Sequence, residues 1–341
     1  MSKNHQKTAE SISKRNQGID LLKGIAIILV VWGHSIQYLK KDGISFFDNY
    51  LFITIYSFHM PLFMMISGYL FYYSLSKYST TDIIIIKFKQ LIIPMFAWII
   101  LNSIINSEPL NLATIKAGAI YLFWFLSALF ALCATYASFY KITKNYASII
   151  FTVTFCISLS FGDGMNMDMI KFMAPYFLIG LLSHRYYDVI ANWKNKIGII
   201  SISIWIAMLL LWRTKYYIYV SHMSFHDVNI WNQLHFVLFR YAIGFAGSFS
   251  VIYLSSFIVN KSPSKILSFL GSYTLPVYIL SSISISKIAS HIPQTDMYRN
   301  AALYNLIITP AFSFIVILLC IGLALLIKKN KIANQVLLGG R

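Results

Sequence analysis

Lys23 and His34 stand eleven positions apart in the stretch Ile19-Asp20-Leu21-Leu22-Lys23-Gly24 through Val31-Trp32-Gly33-His34, which is otherwise apolar and long enough to cross a bilayer. At about 100° per residue, eleven steps bring a helical side chain back to within about 20° of its starting direction, about 16 Å further along the axis. One helix face therefore carries a cation near one end and an imidazole toward the other. Such a pair suits charge anchoring and proton transfer. Ionisable groups inside a membrane segment cost about 2.5–3.5 kcal/mol each, so two on one face call for a reason. The packing alternative is a lysine that snorkels from the helix end and a histidine bonded to a neighbouring helix.

A second imidazole follows in Tyr56-Ser57-Phe58-His59-Met60-Pro61. Pro61 removes a backbone donor in mid-helix and marks a kink or a cavity-lining segment. If the first helix runs outward and the second inward, His34 and His59 reach similar depths on neighbouring helices. A shared site is the reading this supports, against two independent packing groups.

These residues need a membrane scaffold, and the composition supplies one. The chain of 341 residues is 58% hydrophobic and only 11% charged. That balance fits an all-α polytopic membrane protein rather than a soluble domain. Apolar runs give about ten spans, near residues 19–39, 52–75, 91–106, 117–140, 146–161, 168–183, 197–212, 234–258, 266–289 and 304–327. With the N-terminus inside, eighteen of the 28 Lys and Arg residues fall on the inner side and seven, Lys171 among them, on the outer. This bias predicts an even number of spans with both termini cytoplasmic. The net charge of +17 is then a topology signal, and its dispersal through short loops argues against nucleic-acid binding.

The expected organisation is a basic cytoplasmic segment over 1–18, a membrane domain over 19–327 and a cytoplasmic tail over 328–341. The first apolar run is longer than a signal-peptide core and lacks a small-residue cleavage site, so it is expected to remain as a span. Cys133, Cys156 and Cys320 have no ligand spacing and read as buried apolar residues. In the longest outer loop, His222 and His226 stand four apart without a third ligand, and no metal is expected. That loop, with Tyr216, Tyr217, Tyr219 and Trp231, is either a glycan-contacting or an interfacial segment.

Ile19-Asp20-Leu21-Leu22-Lys23-Gly24 with Gly33-His34-Ser35 resembles the first-helix signature of the acyltransferase-3 family of integral membrane O-acyltransferases, in which Arg or Lys precedes an essential His by eleven positions. Phe58-His59-Met60-Pro61-Leu62-Phe63 with Ser67-Gly68-Tyr69 is similar to the second-helix motif of the sugar O-acetyltransferase branch. Weaker likenesses follow at Trp124-Phe125-Leu126, Phe177-Leu178-Ile179-Gly180 and Leu270 through Tyr278. Two departures stand out. Lys23 occupies a position where Arg is commoner, and Leu280-Ser281-Ser282 stands where many members carry a further His.

The resemblance implies a membrane enzyme of the bacterial cytoplasmic membrane that moves an acetyl group from cytoplasmic acetyl-CoA to a hydroxyl of an extracytoplasmic polysaccharide or its lipid-linked precursor. Lys23 would anchor the phosphates of the donor. His34 is the candidate base, while His59 could orient it, polarise the thioester carbonyl or carry the acetyl group. Arg240, an intramembrane cation, would bind an acidic glycan, a pyrophosphate linker or a developing oxyanion, or else snorkel to lipid phosphate. Trp124 would stack on a sugar or line the acyl path, or simply pack. Asp20, three residues before Lys23, is expected to form an ion pair with it. The rival classes are a transporter or flippase, which should show paired interrupted helices, and a non-enzymatic polysaccharide-export partner.

Overall fold

A computed structural model describes residues 17–39, 46–162, 167–216, 225, 230–292 and 301–340. Among these residues the chain is helical, with no strand. The helices are α1 (Gln17–Tyr38), α2 (Tyr50–Lys77), α3 (Thr80–Asn106), α4 (Leu112–Leu122), α5 (Trp124–Ile142), α6 (Ala147–Ser158), α7 (Met167–Arg185), α8 (Tyr187–Leu210), α9 (Ile230–Ser255), α10 (Ser262–Ser272), α11 (Thr274–Ser290), α12 (Ala301–Lys328) and α13 (Lys331–Leu338). His222, His226, Tyr217 and Tyr219, and nearly all of the 1–18 segment, lie outside the described residues.

Every apolar run read from the sequence falls on helix, yet they are not all simple spans. Seven helices are long and apolar enough to cross a membrane, or eight if α10 and α11 form one bent span. The run over 117–140 breaks at Phe123, where ψ swings to 29° after a π-helical turn over Gly118–Leu122. The run over 266–289 bends by 71° at Tyr273. Pro276 explains that bend, because it cannot supply an N–H to the preceding turn. At 12 residues, α6 reaches only about 18 Å, short of a hydrocarbon core of about 30 Å.

The centre of the bundle is α2, which packs on α1, α7 and α9. Two crossings are set by glycine. A Cβ on Gly24 would overlap the Leu267 carbonyl, and one on Gly271 would overlap the Asp20 carbonyl, so α1 and α10 meet backbone to backbone at two points. The same reciprocity joins α2 to α7, where Gly68 faces the Phe177 carbonyl and Gly180 faces that of Met65. In lipid, where no hydrophobic force drives helices together, such close approach supplies dispersion contacts that larger residues would block. Leucines 318, 319, 323 and 326 of α12 are left exposed, as a lipid-facing surface requires. Residues 328–341, expected as a tail, include α13, whose Leu337 carbonyl accepts a bond from Trp98 Nε1 at 2.8 Å.

Candidate active site

His34 sits on the last turn and a half of α1, a segment clamped to α12 by three side-chain bonds. Trp32 Nε1 donates to Thr309 Oγ1 at 2.9 Å, Ser313 Oγ to Ser35 Oγ at 2.8 Å, and Tyr304 Oη to the Ile36 carbonyl at 2.8 Å. Polar bonds between membrane helices fix both rotation and depth. His59, on α2, is 3% exposed, and its Nδ1 donates to the Ile55 carbonyl at 2.9 Å. A carbonyl only accepts, so Nδ1 carries the hydrogen and the neutral ring keeps its lone pair at Nε2.

Tyr56 stands between the two histidines. Its hydroxyl lies 3.3 Å from His34 Nδ1 and 3.4 Å from Gln37 Oε1, and its ring meets that of His59 edge-on at 4.5 Å between centroids. The phenol has one hydrogen. With that hydrogen on Gln37, His34 Nδ1 must donate to the phenolic oxygen, which leaves His34 Nε2 as the basic atom. In that arrangement both rings present the same tautomer.

His34, Tyr56 and His59 line a cavity of about 130 Å³ that is closed on other sides by Trp124, Phe172, Tyr278 and Ser282. The structure places His34 and His59 in one cavity, and Trp124 joins them in its wall. Ser282, in the stretch Leu280-Ser281-Ser282, has its Oγ bonded back to the Ile279 carbonyl at 2.9 Å.

Lys23 opens onto a second cavity, of about 200 Å³, together with Lys87 of α3 and Lys328 at the end of α12. The α1–α10 crossing brings the elbow after α10 beside Lys23, so that Ser272, Thr274 and Leu275 complete the wall. Lys23 also pairs with Asp20 at 3.0 Å, as its i, i+3 spacing suggests. The Lys328 ammonium lies 4.6 Å from the Tyr273 ring centroid and that of Lys87 6.0 Å from the Phe71 ring, contacts that hold both near the cavity. Met60 and Tyr278 belong to both cavities and form their common wall.

Arg240 is not brought to either cavity. It is 6% exposed, donates through Nε to the Tyr216 carbonyl at 2.8 Å, and receives at its own carbonyl the Tyr176 hydroxyl at 3.2 Å. Lys171, counted among outer-loop cations, is 1% exposed and donates to the Phe161 carbonyl at 2.6 Å. The sequence reading missed Tyr56, Tyr278, Lys87 and Lys328. Tyr56 left a signal in its i, i+3 spacing from His59, and Tyr278 in the likeness over Leu270 through Tyr278. No cluster of three or more metal-ligating side chains occurs among the described residues.

A family model described as "Acyltransferase domain" matches residues 16–328. Among curated relatives, the nodulation protein NolL of Mesorhizobium japonicum is 29% identical over 252 residues, covering 67% of this chain and 64% of its own. NolL of Sinorhizobium fredii is 29% identical over 241 residues, covering 65% of this chain and 64% of its own. The chain thus spans slightly less than two thirds of the length of these relatives. No solved structure matches it.

Proposed function

The chain belongs to the acyltransferase-3 family and is a multi-pass membrane protein, and from that premise we propose that it moves an acetyl group from cytoplasmic acetyl-CoA to a hydroxyl of an extracytoplasmic surface polysaccharide or its lipid-linked precursor, within the bacterial cytoplasmic membrane. The observation that carries this reading is the shared wall: a cavity with three lysines abuts a cavity with two histidines at Met60 and Tyr278. A donor with phosphates at one end and a reactive thioester at the other suits that sequence of charge, narrow apolar wall and base.

Lys23, Lys87 and Lys328 bind the phosphates by charge-assisted bonds. His34 Nε2 takes the proton from the acceptor hydroxyl as its oxygen forms the new C–O bond; the C–S bond breaks, and His34 returns the proton to the departing thiolate. Tyr56, through Gln37, keeps the lone pair of His34 on the reacting side. His59 Nε2, the second acceptor atom in the cavity, accepts from a neighbouring hydroxyl of the sugar and so orients the reacting one. Trp124 offers a flat apolar surface to the incoming sugar. Arg240, which lines neither cavity, is assigned to an acidic group carried further along the acceptor.

The test is release of CoA from acetyl-CoA by purified protein in lipid nanodiscs supplied with a surface-glycan acceptor, with acetyl ester formation followed in parallel. Acceptor-dependent release that disappears in His34→Ala supports the reading. A folded protein that binds glycan yet never consumes acetyl-CoA overturns it in favour of an export partner.

A further inference from the structure

A third cavity opens where α3 and α4 splay apart at the His34 end of α1. It measures about 550 Å³, within the range of small-molecule sites, and shares Tyr38, Tyr121 and Leu122 with the histidine cavity. The two spaces are therefore neighbours, with Tyr38, Tyr121 and Leu122 between the cleft and the cavity of His34 and His59. The cleft is built rather than incidental. At the end of α3, Ser107 adopts the left-handed region at φ 55°, which lets the Glu108 amide return to the Ser103 carbonyl at 2.9 Å. That turn carries Glu108 back over the helix end, beside Asn102 and Ser103. A non-glycine residue held at positive φ persists where its surroundings impose it.

Ser103 supplies the second observation. It is 1% exposed, it lines the cleft, and its Oγ has no hydrogen-bond partner among the described residues. A buried hydroxyl left without a partner costs enough that native structures rarely keep one without a use. Asn102 adds an amide and Glu108 a carboxylate, while Tyr38 and Tyr121 present aromatic surfaces at the junction. Glu108 is the sole charged side chain lining the cleft among the described residues.

We infer that this cleft is the acceptor subsite, and that it takes a hydroxyl-rich sugar unit without an acidic group. The inference rests on the acyl-transfer reading for its role, although the binding it describes does not. Sugar hydroxyls both donate and accept, so Ser103 Oγ, Asn102 and Glu108 match them, and the tyrosines match the apolar face of a pyranose. A uronic acid or phosphate group would stand against the Glu108 carboxylate, which disfavours it by like-charge repulsion.

Calorimetric binding to protein in nanodiscs tests the subsite apart from turnover. The probes are three neutral trisaccharides (maltotriose, cellotriose and mannotriose) and two acidic ones (trigalacturonate and triglucuronate). At least one neutral probe should bind more tightly than both acidic ones. Ser103→Val should weaken that probe about tenfold, the scale of one lost hydrogen bond, and Glu108→Gln should narrow the gap between neutral and acidic probes by a similar factor. In turnover, Ser103→Val should raise the acceptor KM with the donor KM held within about twofold, a split that general misfolding would not produce. Equal binding of neutral and acidic probes, or binding unaltered in both variants, overturns the subsite. If binding behaves as expected while no acetyl-CoA is consumed, the subsite stands and the acyl-transfer reading alone falls.

Discussion

The Tyr56 hydroxyl lies 3.3 Å from His34 Nδ1, so the side chain that edges against His59 also meets a ring nitrogen of its partner histidine. An imidazole serves as a base only through the nitrogen that lacks a proton, and the bond at one nitrogen decides which that is. On the proposed mechanism Tyr56 is a positioning residue. Tyr56→Phe should lower kcat by about 10–100-fold, the usual loss when a group that orients a reactive side chain is removed. Donor KM and thermal stability should hold, and steady-state kinetics beside a melting curve would check both.

His34→Ala should lower acetyl transfer by about 10²–10⁴-fold, the contribution of a general base, while the protein still folds, since alanine suits a helix. His59→Ala should be severe as well. Because the two rings share one cavity, the double variant should be little worse than the worse single one. Retention of more than about a tenth of wild-type activity by His34→Ala would remove it from the role of base.

Lys23→Gln, Lys87→Gln and Lys328→Gln should each raise the donor KM without a matching change for the acceptor. One charge-assisted bond to phosphate is worth about 1.5–3 kcal/mol, equivalent to about 10–150-fold. Lys23→Arg should keep most activity because the charge survives. Added salt should weaken donor binding in the wild type and less so in the variants, since screening acts on the charges removed. Titrations of acetyl-CoA at two ionic strengths would decide it.

Gly24→Val should lower stability by at least about 1–3 kcal/mol, the cost of overpacking, because its branched side chain meets the Leu267 backbone and must force α1 and α10 apart. Gly322 is the control. Nothing lies within 4 Å of a Cβ placed there, so Gly322→Ala should be neutral or mildly stabilising. Unfolding followed by loss of monodisperse protein on heating would separate the two.

The helices were legible because lipid demands long apolar runs, and the histidine pair because depth on adjacent helices follows from counting residues. What escaped was tertiary. Lys328 ends α12 and Lys87 lies in α3 ahead of the apolar run over 91–106, places where a lysine reads as a topology charge, and only the packing of α3 and α12 brings them to Lys23. The bend at Tyr273 hides inside one continuous apolar run, since hydropathy does not register the missing donor of Pro276. Lys171 reads as a loop cation because charge alone does not reveal that the carbonyls of Phe161 and Gly162 wrap it at 2.6 and 3.5 Å.

The wall formed by Met60 and Tyr278 bears on the energy economy of the cell as well as on chemistry. A bilayer charged to about 100 mV releases about 2.3 kcal/mol for every elementary charge that slips across. A continuous watery bore from the lysines to the histidines would be a short circuit for protons and sodium. With the Met60 thioether and the Tyr278 ring between the two cavities, such a bore is interrupted, and on the proposed reading donor and acceptor are served without an open channel.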